Sequence, residues 1–92
     1  MEYEKKVKIK NETGLHARPA SKFVQKADNF NSEINIIYNG EKVNAKSIMG
    51  VMSLGIGQGS EITLKAEGDD SRVALEKLVD FIEREMPKED KK

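Results

Sequence analysis

EINIIYNGEKVNA, residues 33–45, reads as a strand, a turn and a second strand. Ile34, Ile36 and Tyr38 fall on one side of an extended chain, which is the period of two of a half-buried strand. Asn39-Gly40 then interrupts the alternation. A two-residue type I′ turn needs positive φ at both central positions, and Asn followed by Gly meets that need best. The two strands are therefore predicted to be antiparallel neighbours.

Upstream, YEKKVKIK (3–10) places Tyr3, Val7 and Ile9 on one side with lysines between, the pattern of another strand, and Asn11 to Gly14 break it. From Pro19 the period changes. Ala20, Phe23, Val24 and Ala27 recur at i, i+3, i+4 and i+7, which predicts an amphipathic helix of about three turns beginning near His16. Phe23 and Val24 are expected to pack on the sheet. Asp28 to Ser32 are turn-formers.

Downstream, Ser47 precedes IMGVMSLG, in which Ile48, Val51 and Met52 sit at helical spacing and Gly55 can stop a short second helix. GIGQG (55–59) runs into a strand and has no following Lys-Ser/Thr, so it reads as a return loop and not as a nucleotide cradle. In SEITLKAEG, Ile62, Leu64 and Ala66 alternate with charged and polar residues as a fourth strand. Asp69, Asp70 and Ser71 are candidate N-caps for a third helix, whose Leu75, Leu78, Val79 and Ile82 carry it through about Glu85. Pro87 and PKEDKK are expected to end the helix and fray. The reading is one domain over residues 1–86 with a charged tail over 87–92. Strand, helix, strand, strand, helix, strand, helix (βαββαβα), with each strand apolar on one face, predicts an α+β open-faced β-sandwich. Its four-stranded antiparallel sheet would carry three helices on one face.

Composition narrows the function. The 92 residues suffice for one domain, and 16 Lys plus Arg balance 16 Asp plus Glu. A chain without net charge has no field to gather nucleic acid or an anionic membrane surface. With no cysteine and one histidine, neither a metal site nor a cofactor is expected. The charged start MEYEKK leads into alternation, so neither a signal peptide nor a membrane span is expected and the predicted protein is cytoplasmic, with a monomer as the default expectation.

That histidine lies in GLHARPAS (14–21), at the mouth of the first helix. Backbone N–H groups at a helix start lack intrahelical acceptors and carry the positive end of the helix dipole, so the place suits an anion. Arg18 adds a permanent cation with a planar donor fork, and a neutral imidazole beside it can attack phosphorus. Spacing alone points to an anion site and does not name its occupant.

G-L-H-A-R-P-A resembles the active-site signature of HPr, the histidine-containing phosphocarrier family of the bacterial phosphoenolpyruvate:sugar phosphotransferase system. V-N-A-K-S-I-M-G-V-M-S-L-G (43–55) resembles the same family's regulatory-serine region, in the form found in Gram-positive bacteria of low G+C content. The resemblance covers about residues 3–85. It implies that His16 accepts a phosphoryl group on Nδ1 from phosphorylated enzyme I and passes it to the IIA domain of a sugar permease. Arg18 and the backbone N–H groups of Ala17 and Arg18 would stabilise the group, while Pro19 cannot donate. Ser47 would be the target of HPr kinase/phosphorylase, and its phosphorylated form a ligand of catabolite control protein A. Ile48, Met49 and Met52 are hard to bury together on a two-turn helix and are expected to form a docking patch, with Val51 and Leu54 in the core. Lys22, Lys26 and Lys46 would lend that face positive charge.

Such a protein is a stoichiometric carrier and no enzyme. Two other readings are a regulatory HPr-like paralogue that keeps the serine and loses the histidine, and a small acyl-phosphatase-like enzyme. The first is disfavoured by His16, the second by the lack of a separate base to position water.

Overall fold

A computed structural model describes residues 2–89. The strands are β1 (Glu2–Lys8), β2 (Glu33–Tyr38), β3 (Glu41–Asn44) and β4 (Glu61–Glu67), and the helices are α1 (Ala17–Asp28), α2 (Ile48–Ser53) and α3 (Ser71–Asp80). They follow one another in the predicted order. The hairpin at 33–45 forms as its turn residues demand. Tyr38 pairs with Glu41, and Asn39 and Gly40 hold φ of 52° and 80° between them.

The strands lie in the order β1-β4-β2-β3, and every neighbouring pair is antiparallel. The last strand in sequence is therefore inserted between the first two. In register, Val7 faces Ile62, while Leu64 and Ala66 face Ile36 and Ile34. These side chains form the floor of the core, and Leu15, Phe23, Leu78 and Phe81 cover it with no exposure to solvent or almost none. Burying one such side chain contributes on the order of 1.5–3 kcal/mol. Phe23 from α1 and Phe81 from the last helix meet with ring centroids 6.4 Å apart, so two helices close over the sheet together. Val24 is half-buried against the same core. Lys5 shares the helix-covered face with Tyr3 and Val7, opposite Leu64. It remains exposed because β1 is an edge strand.

The opposite face is polar. At one end Glu67 stands directly between Glu2 and Glu33 on its two neighbouring strands. Like charges in such opposed positions lower stability, and Lys65, 3.2 Å from Glu2, offsets part of the repulsion.

The end of the last helix differs from expectation. The chain passes from α3 through a π-helical turn, Phe81–Glu85, into a short α4, Met86–Glu89, so Pro87 lies inside helical structure. Phe81 and Met86 keep helical dihedrals, and the Met86 N–H donates to the Phe81 carbonyl five residues back. The widened turn gives the proline ring room where a tight α-turn would drive it against a carbonyl. Met86 is fully buried, which holds this turn against the core. Residues 90–92 of the expected tail lie outside the described residues.

Candidate functional site

The sequence between β1 and α1 is held on both sides. Beyond the last residue of β1, the Ile9 N–H donates to the Ser60 carbonyl at 2.8 Å, and the Gly59 N–H donates to the Ile9 carbonyl at 2.8 Å. Gln58 Nε2 reaches the Lys10 carbonyl at 3.1 Å. A tight turn follows, closed by the Gly14 N–H on the Asn11 carbonyl at 3.2 Å. Gly14 has φ of 67°, and a Cβ there would stand 2.2 Å from the Ile56 carbonyl oxygen. That closeness lets the Leu15 N–H donate to the same oxygen at 3.0 Å, and the Leu15 side chain is fully buried. The loop 55–60 is thus the wall against which the histidine loop is built.

His16 follows as the N-cap of α1, extended at φ −133° and ψ 156° and half-buried. Its side chain makes no capping hydrogen bond, and no acidic residue occupies the first turn. The imidazole is therefore not committed to the helix's own N–H groups. Ala17, exposed, turns the chain with φ of 51°, a left-handed conformation that costs a non-glycine residue about 1–2 kcal/mol. Arg18 is exposed and Pro19 buried. His16 and Arg18 thus both belong to the start of α1, where N–H groups lack intrahelical acceptors, a place whose chemistry suits a small anion.

Helix α2 packs against α1. Ser47 caps it, and its Oγ accepts from the Gly50 N–H at 3.1 Å. Ile48, Met49 and Met52 are 39%, 79% and 38% exposed, whereas Val51 is buried and Leu54 packs on the core. The three apolar side chains singled out from the sequence thus lie on the surface beside Ser47 in the chain.

Lys46 and Lys26, both expected to lend this face positive charge, have partners within the chain. Lys46 Nζ donates to the Phe30 carbonyl at 2.6 Å, tying the residue before Ser47 to the segment that leaves α1. Lys26 lies 3.8 Å from Glu85 and 5.7 Å from the centre of the Phe81 ring.

Sequence reasoning missed Asn11, which is buried and donates from Nδ2 to the Gly14 carbonyl at 2.8 Å. A polar residue after a strand reads only as the start of a turn. No local pattern signals that its side chain turns inward.

The family described as "PTS HPr component phosphorylation site" matches residues 3–84. The HPr-like protein Crh of Halalkalibacterium halodurans is 61% identical over 82 residues, covering 89% of this chain and 98% of that protein. Among solved structures, HPr-C-His from Thermoanaerobacter tengcongensis superposes with a TM-score of 0.89 at 55% identity, over 91% of this chain and 94% of that one. The catabolite repression protein Crh of Bacillus subtilis, solved as a swapped, intertwined dimer, gives a TM-score of 0.71 at 51% identity, over 85% and 90% of the two chains.

Proposed function

We propose, from the premise that this chain belongs to the HPr family of phosphotransferase-system components, that it is a phosphocarrier working through His16. Proteins of this family carry a phosphoryl group and do not turn over a substrate as enzymes. The observation that carries the reading is His16 itself, placed at the mouth of α1 with its ring uncommitted to capping. In the proposed step, the Nδ1 lone pair attacks the phosphorus held by enzyme I; a P–N bond forms as the donor's bond to phosphorus breaks. Arg18 and the N–H groups of Ala17 and Arg18 balance the charge on the transferred oxygens. The site binds the group at the surface, so it can pass to a IIA domain of a sugar permease by the reverse of the same step. The carrier acts in the cytoplasm as a single copy of the chain.

Ser47 is proposed as the regulatory position, phosphorylated by HPr kinase/phosphorylase. A phosphate there adds about −1.5 to −2 charges next to Ile48, Met49 and Met52, the surface proposed to meet enzyme I. Docking of enzyme I weakens, and an acidic epitope for catabolite control protein A appears. On this reading Ser47→Asp is phosphorylated by enzyme I more slowly than wild type; equal rates would remove the inhibitory role.

The resemblance to Crh proteins supports a second reading, a regulator acting through phospho-Ser47 alone. One experiment separates the two. Incubation with enzyme I, Mg²⁺ and phosphoenolpyruvate, followed by intact mass, adds one acid-labile phosphoryl group to a carrier and none to His16→Ala. A regulator gains mass only with the kinase and ATP.

A further inference from the structure

Asn11 combines two features that rarely coexist in a side chain. It is buried, at 3% exposure, and its Oδ1 has no hydrogen-bond partner among the described residues. The other end of the amide is fully used: Nδ2 donates to the Gly14 carbonyl at 2.8 Å and to Thr13 Oγ1 at 3.3 Å. The two ends cannot be exchanged, because an oxygen turned toward the Gly14 carbonyl would set acceptor against acceptor. The NH₂ therefore faces the turn and Oδ1 faces inward. A buried acceptor without a donor lowers stability, and an apolar side chain of the same size would avoid that loss.

What the amide supplies is geometry. It holds the Gly14 carbonyl from inside the turn while Ile56 holds the Leu15 N–H from outside. Between these two bonds Gly14 keeps its φ of 67°, and the next free side chain is that of His16. Beyond it stands Ala17 in a left-handed conformation, which has no reason to persist unless the residues before it are fixed.

We propose that Asn11 is a positioning residue for His16, holding the imidazole in the orientation that phosphoryl transfer requires at some expense of stability. The inference rests on the reading of His16 as the phosphoryl acceptor. The test compares wild type with Asn11→Leu and with Asn11→Ala, which removes the amide without adding bulk. Three quantities are read: the rate of His16 phosphorylation by enzyme I and phosphoenolpyruvate, amide hydrogen exchange at Gly14 and Leu15 by NMR, and the melting temperature. The expected result is transfer at least about tenfold slower in both variants, with exchange at Gly14 and Leu15 about tenfold faster. The melting temperature of Asn11→Leu is expected at or above that of wild type. Wild-type rates and exchange in both variants overturn the proposal, as does a melting temperature that falls with the rate in both, which marks a merely structural residue. If wild type itself takes no phosphoryl group, the reading of His16 fails, and exchange at Gly14 and Leu15 then decides for Asn11: faster exchange sustains the positioning, and unchanged exchange overturns it.

Discussion

Gly14 and Gly57 face each other across the histidine loop, and only one of them is irreplaceable. A Cβ on Gly14 would lie 2.2 Å from the Ile56 carbonyl oxygen and 2.7 Å from the Gly57 Cα, at a φ of 67° that side chains disfavour; a Cβ on Gly57 meets nothing within 4 Å. Backbone atoms cannot swing aside as a flexible side chain can. Gly14→Ala is therefore expected to destabilise the protein by about 2–4 kcal/mol, and Gly57→Ala to stay within about 0.5 kcal/mol of wild type, both measured by urea unfolding. Equal midpoints for the two variants would mean that the loops do not approach as described. At this scale the sequence was informative about chemistry and silent about contact. The histidine, the arginine and the serine were legible as residue types in distinctive neighbourhoods. The demand on Gly14 comes from Ile56, distant in the chain, and Asn11 looked like any turn residue.

Among the elements, the start of α3 shows a local signal diverted by a tertiary partner. Asp70 occupies the N-cap position, as the run Asp69-Asp70-Ser71 suggested, yet its carboxylate does not cap the helix. It accepts instead from the Asn31 and Ser32 N–H groups, each at 2.9 Å, and from the Ser32 hydroxyl. A carboxylate clasp thus joins the turn before β2 to the helix after β4. The Ser32 hydroxyl, then the Asn31 N–H, hold the Asp70 carboxyl below its ordinary value. Because the folded value is lowered, the contribution to stability is complete above the unfolded carboxylate range and disappears as pH falls through the folded value. Asp70→Asn should be less stable than wild type at pH 7, with the gap closing below about pH 4; unfolding curves at neutral and acidic pH would contradict this if the gap stayed constant. The last helix makes the same point about elements. Pro87 alone predicts an end, whereas the π-helical turn before it and the buried Met86 carry the helix on to Glu89.

For the whole molecule, the question is which contacts a single chain closes on itself. β1 pairs with β4 along its full length, from Glu2 with Glu67 to Lys8 with Glu61. The segment leaving β1 is pinned by Ser60, Gly59 and Ile56. The Crh of Bacillus subtilis was solved as a swapped dimer; in this chain, handing β1 to a second copy would require residues 9–16 to release those bonds and straighten. We expect sedimentation equilibrium to give the 10.3 kDa monomer from low to high micromolar concentration, and a concentration-dependent dimer would overturn the proposal that the protein acts as a single copy. The amino-acid sequence by itself determined the order and type of the four strands and of α1 to α3, the hairpin at Asn39-Gly40 and the inward faces of β1, β2 and β4, because periodicity and turn chemistry are local properties. It also marked His16, Arg18 and Ser47 through two motifs. Only the tertiary structure decided that β4 lies between β1 and β2, that Ile56 and Asn11 shape the histidine loop, that Lys46 and Asp70 serve distant carbonyl and amide groups, and that a proline continues a helix. Each of those depends on atoms far apart in the chain, which meet only once the core has closed.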